Sequence, residues 1–142
     1  MVLAAIAAIF FLTPVASASE AEGDLGALAS QCVRMSGPDR FNQGCVKVTG
    51  DSTDSGFFVE RVSGGMVTEP DVRILCDVKV ELFGIFANNV HYNAKGVAPC
   101  KPNITYFEQF PRAEFKKGSL LCAKVTYGSM ATSEPACYTI PN

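Results

Sequence analysis

Residues 72–83 read Val-Arg-Ile-Leu-Cys-Asp-Val-Lys-Val-Glu-Leu-Phe, the clearest element in the chain. Val72, Ile74, Cys76, Val78, Val80 and Leu82 fall on one side. Arg73, Leu75, Asp77, Lys79, Glu81 and Phe83 fall on the other. A period of two, with one apolar and one mostly polar face, predicts a half-buried antiparallel strand over Val72–Leu82. Gly84 ends the run.

Similar but shorter patterns lie on both sides. Val46 and Val48 point one way, and Cys45, Lys47 and Thr49 the other. Phe57–Val62 reads as the next strand, closed by Ser63-Gly64-Gly65. Downstream, Val90–Tyr92 is a short extended piece between turn signals at Asn88-Asn89 and Asn93–Pro99. Ile104–Phe110 is aromatic and extended. Gly118 opens a strand in which Leu121, Ala123, Val125 and Tyr127 alternate with Leu120, Cys122, Lys124 and Thr126. Ala136–Ile140 is the last strand. Short strands between regular turn signals predict an all-β antiparallel sandwich. The one candidate helix is N-terminal: Asp24 is a cap, Leu25, Leu28, Ala29 and Cys32 form an apolar face, and Gly37-Pro38 ends it.

The N-terminus carries an export pattern. Val2–Leu12 is apolar without a break, Pro14 ends it, and Ala16-Ser17-Ala18 offers the small residues of a cleavage site. Residues 1–18 read as a signal peptide, and residues 19–142 as one secreted, extracellular domain. The run is too short to span a bilayer as a helix, so no stable membrane span is expected. Six cysteines in an exported chain imply disulfides among Cys32, Cys45, Cys76, Cys100, Cys122 and Cys137. Fifteen pairings are open. Cys122 and Cys137 belong to a terminal hairpin, where opposed residues come within bridging distance.

Several functions find no support. The formal net charge is −2 with both signs interspersed, so no basic stripe exists for nucleic acid. The cysteine spacing fits no zinc site, and Asp51 and Asp54 lack a calcium-loop pattern, so no metal and no cofactor are expected. His91 is the only imidazole and has no recognisable nucleophile beside it. The chain therefore reads as a non-enzyme with no catalytic residues. Asn103-Ile104-Thr105 is a glycosylation acceptor, with Asn103 the modified residue.

Aromatics gather in the second half, at Phe83, Phe86, Tyr92, Tyr106, Phe107, Phe110 and Phe115. They either fill a core or line a cavity between two sheets. On the second reading the protein binds a lipid or other small apolar molecule, with Phe83, Phe86, Phe107 and Phe110 as the lining residues. The alternative is a protein-interaction module, a toxin-like factor, inhibitor or effector. It would meet an extracellular protein partner through the loops Thr49–Gly56 and Asn88–Lys101.

From Val72 onward the order of features resembles the ML (MD-2-related lipid-recognition) domain. An alternating strand ends at Gly84, a turn-rich stretch runs to Cys100, Lys117-Gly118 opens a terminal hairpin, and the last cysteine stands in Cys137-Tyr-Thr-Ile-Pro141. The resemblance implies an Ig-like sandwich whose sheets part to admit a lipid or sterol. It also implies a bond between the first and last cysteines, Cys32 and Cys137, which would exclude the hairpin bond. The chain departs from that family at Lys101-Pro102-Asn103, where another cysteine is usual, and at the mid-strand Cys76 and Cys122.

Overall fold

A computed structural model describes residues 27–37, 42–68 and 73–142. The export segment 1–18 and the Asp24 cap lie outside these residues. The described chain is all-β and antiparallel, with two five-stranded sheets sharing one core.

The first sheet has the order β1 (Ala27–Arg34), β2 (Gln43–Ser52), β3 (Phe57–Val67) and β8 (Ile104–Gln109). The short β9 (Ala113–Phe115) shares the outer edge of β3 with β8, pairing with Phe57–Val59 while β8 pairs with Val62–Val67. The second sheet runs β6 (His91–Val97), β5 (Lys79–Ile85), β10 (Leu120–Tyr127). Two short strands divide the far edge of β10: β12 (Ala136–Thr139) and β11 (Met130–Ala131). A separate two-residue ladder joins β4 (Ile74–Leu75) to β7 (Lys101–Pro102).

The alternation rule places the core. Val46, Val48, Val59 and Val62 from the first sheet are fully buried against Leu82, Leu121, Ala123 and Val125 from the second. Gly64 sits at a close approach of the two sheets. A Cβ there would meet Val80 at 2.6 Å, Ala123 at 2.8 Å and Leu82 at 2.9 Å. Such distances leave no room for any side chain larger than hydrogen. This explains why β3 continues through Ser63-Gly64-Gly65, where the composition suggested a turn: Gly64 admits the facing sheet, and a Cβ at Gly65 would crowd Tyr106 on β8.

The sheets also join at two corners. Single bridges link Met35 to Thr132 and Phe86 to Phe115. At the remaining gap, between β6 and β8, the half-buried Phe107 ring occupies the space a side chain at Gly96 would take. The interior is thereby closed by apolar side chains.

The decisive strand is broken. Asp77 adopts a left-handed φ of 58°, and residues 76–78 leave the ladder. Asp tolerates this conformation better than most residues because its short polar side chain bonds locally. The kink reverses the phase: Leu75 and Val78 are both buried, whereas unbroken alternation would set them on opposite faces. Ile74, expected inside, is 59% exposed. β4 turns away from β5 to meet β7, and a Cys76–Cys100 disulfide fastens that junction. Asn103 supports it from the other side, with its Oδ1 accepting the Arg73 N–H at 3.0 Å.

The candidate helix is also corrected. Ala27–Arg34 is a strand, registered residue by residue against Gln43–Gly50. Eight ladder partners and a covalent link outweigh a short helical pattern that is marginal in isolation. Cys32 lies directly opposite Cys45, and Cys122 directly opposite Cys137; both pairs are bonded. The hairpin bond is thus present, and the Cys32–Cys137 bond implied by the ML resemblance is not.

The two loops assigned to recognition are mostly strand. β2 runs to Ser52, so only four residues, 53–56, remain at that turn. β6 takes up residues 91–97 of the other. The first turn is clipped to β9: the Glu114 carboxylate accepts the Thr53 hydroxyl at 2.6 Å and the Ser55 hydroxyl at 2.6 Å. The Ser55 bond, then the Thr53 bond, with Lys117 nearby, hold the Glu114 carboxyl below the ordinary glutamate value. A depressed folded value stabilises the clip above the unfolded value, and that contribution disappears as pH falls through the folded one. Acidification through and below the ordinary glutamate range is therefore expected to lower the protection factors of the amides at residues 53–56, once exchange is corrected for its intrinsic pH dependence. Glu114→Gln should remove the pH dependence; an unchanged acid profile in that variant would refute the assignment.

Candidate functional site

Three strands of the second sheet, β6, β5 and β10, present their outward residues as rows. Register sets Phe83 between Cys122 and Asn93, and Ile85 beside His91. The inward positions Val80, Leu82, Leu121 and Ala123 are committed to the core, so the outward set is fixed by the period of two. Among these outward positions Phe83, Ile85 and Leu120 carry large apolar side chains side by side. Phe83 is only partly covered, and Leu120 is 50% exposed.

Together they form a cleft of about 530 Å³. Its walls are Phe83, Ile85, Leu120, Pro135 and the Cys122–Cys137 disulfide, and His91, Asn93 and Ser119 stand among them. The disulfide floors the cleft with a covalent cross-link between β10 and β12, so the two strands cannot separate there. Chemically the cleft offers apolar contact with few hydrogen-bonding groups. Among the described residues no three His, Cys, Asp or Glu side chains are grouped to hold a metal. His91 is exposed on the outer strand. No helix of the described residues is long and apolar enough to cross a membrane.

The four phenylalanines expected to line one cavity occupy four different places. Phe83 lies in the outer cleft. Phe86 belongs to a ring cluster, 4.9 Å from Phe115 and 5.4 Å from Tyr92. Phe107 fills the gap opposite Gly96. Phe110 is 53% exposed on the first-sheet side, with the Arg112 guanidinium 5.8 Å from its ring. The fold therefore assembles Phe83 with Ile85, Leu120 and Pro135, none of which sequence reading had grouped with it. The available signal was that Phe83 and Leu120 both fall on the outward side of their own strands. Joining them required knowing that the strands before Gly84 and after Gly118 are neighbours, a contact between distant segments.

The acceptor Asn103 is partly exposed, but its triplet is built into the fold. Its Oδ1 holds the Arg73 amide, and the Thr105 hydroxyl, 1% exposed, donates to the Pro99 carbonyl.

No family model, no curated protein and no solved structure matches the chain.

Proposed function

We propose that this protein is a small extracellular binding module that holds an apolar ligand in the cleft on the outer face of its second sheet. The observation that carries the reading is the set of Phe83, Ile85 and Leu120 around a disulfide floor, with about 530 Å³ of space above it. Ligand clefts of small molecules run from roughly 300 to 1,000 Å³ and are mainly apolar with few polar groups. Outward sheet positions are ordinarily polar, and three bulky apolar groups left facing water need a reason. The space between the sheets, by contrast, is taken up by core side chains. Three disulfides and the apolar N-terminal segment support an oxidising, extracellular setting. The resemblance to ML domains from Val72 onward supports a lipid as the ligand class.

Each methylene an acyl chain buries contributes about 0.8 kcal/mol, so a chain laid along the cleft binds without a charged anchor. Placing a carboxylate in the cleft opposes this by its desolvation cost. Leu120→Asp is therefore expected to weaken binding of an environment-sensitive acyl probe by roughly tenfold or more, about 1.4 kcal/mol. Phe110→Asp, outside the cleft, should bind like wild type. Absence of saturable binding by wild type, or equal losses in both variants, would refute the reading.

A further inference from the structure

The same sheet face changes character one row beyond the cleft. Glu81 follows Phe83 on β5 and is flanked by Lys124 on β10 and Lys95 on β6. In the next row Lys79 faces Thr126 and Val97. Two residues along a strand span roughly 7 Å, so the first lysine row lies about one headgroup's length from Phe83. These residues line a second hollow of about 410 Å³, continuous in register with the first.

Charge in this second hollow is one-sided. Lys79, Lys95 and Lys124 are exposed and share the hollow with one carboxylate, that of Glu81. Glu81 is already engaged through Oε1, which accepts the Asn93 amide at 3.0 Å. Among the described residues no carboxylate comes within 4.0 Å of any of the three ammonium groups. Three positive charges against one negative leave a positive surplus, in a chain whose formal net charge is −2. An apolar hollow joined end to end with a cationic one is complementary to a molecule with an apolar chain and an anionic head.

We propose that the occupant of the face is a single-chain anionic amphiphile of the fatty-acid type. Its chain lies over Phe83 and Leu120 and its carboxylate sits between Lys95 and Lys124. This rests on the apolar-cleft reading above and adds the class and the direction of the ligand. A free monomeric amphiphile fits better than a bilayer surface, because the apolar residues line a hollow, whereas insertion into a bilayer needs them to protrude. Glu81, held by Asn93 on the central strand between the two lysines, repels the head from β5 itself, so the head is met by the ammonium groups of the flanking strands.

The test compares dansylated undecanoate with its methyl ester on the full-length secreted protein. The two probes share chain and fluorophore and differ in the head charge. The acid is expected to bind roughly tenfold more tightly, with an advantage that shrinks as salt is added. The double variant Lys95→Ala/Lys124→Ala should bind the acid no better than the ester and leave ester binding unchanged. Both lysines are exposed, so the variant's thermal midpoint should match wild type and separate a folding defect from a binding one. Saturable but equal binding of acid and ester would overturn the anionic head and leave the apolar cleft standing. No saturable binding of either would overturn the cleft itself. Binding to phosphatidylglycerol vesicles without saturable binding of the monomeric acid would overturn the proposal in favour of a membrane-docking face.

Discussion

Reduction of all three disulfides is expected to unfold the protein at ambient temperature. The bonds close chain segments separated by 13, 24 and 15 residues. The segments follow one another along the chain without nesting or crossing, so their effects on the unfolded ensemble add. In the chain-entropy account a loop of about 15 residues contributes roughly 3 kcal/mol, and three such loops contribute roughly 9 kcal/mol. Domains of this size are stable by about 5–15 kcal/mol in total, so losing that much leaves little or nothing. Each bond also ties down an edge or a short strand. Cys32–Cys45 ties down the edge strand β1, Cys76–Cys100 secures a two-residue ladder, and Cys122–Cys137 holds a four-residue edge strand. Urea titration with and without a thiol reductant measures the effect. A reduced protein whose midpoint stays within a few tenths molar of the oxidised one would show that the core carries the fold alone.

The sandwich itself was legible because alternation is local. Val46 and Val48, Leu121, Ala123 and Val125, and Val80 and Leu82 each announce an inward face within a few residues, and each is buried as read. The hairpin disulfide was legible for the same reason, since two adjacent strands oppose their cysteines. What failed depended on distant neighbours. Nothing within residues 72–83 shows that β4 will find Lys101-Pro102, and without that partner the left-handed Asp77 has no cause. Ala27–Arg34 carries a helical pattern in isolation, and only β2 as a template makes it a strand. The glycines of β3 read as a turn until Val80, Leu82 and Ala123 are set against Gly64. The candidate cleft has the same character: Phe83 was picked out as a bulky residue on the wrong side of its strand, but its companions come from Pro135 and from the strand after Gly118. The other three phenylalanines were grouped with it as second-half aromatics, and the strand order sends them to separate places.

Phe115→Ala is expected to be the most damaging of the single phenylalanine truncations, at about 3–5 kcal/mol. It was the one phenylalanine of the second-half aromatic group that sequence reading left out of the site, in a three-residue strand too short to show alternation. Phe115 is 0% exposed. On the first sheet it is paired with Phe57, and through its single bridge to Phe86 it reaches the second. Its ring lies 4.9 Å from that of Phe86 and 5.4 Å from that of Tyr92, and it passes over Gly84. Truncation removes the ring from the centre of this cluster, and the aromatic pairs lost add about 0.5–1.5 kcal/mol each beyond area burial. The walls cannot close on the void, because the 86–115 bridge and the β3–β9 ladder fix the surrounding backbone. Phe110→Ala, at a position more than half exposed, should cost no more than about 0.5 kcal/mol. Phe83→Ala should fall between the two in stability yet lose probe binding, since its ring faces the cleft and not the core. Denaturant midpoints at unchanged slope, read beside probe titrations, separate these roles. If Phe115→Ala cost less than about 1 kcal/mol, the join between the sheets at that corner would be held by the backbone alone. If Phe83→Ala kept full probe binding, the cleft would lose its central wall.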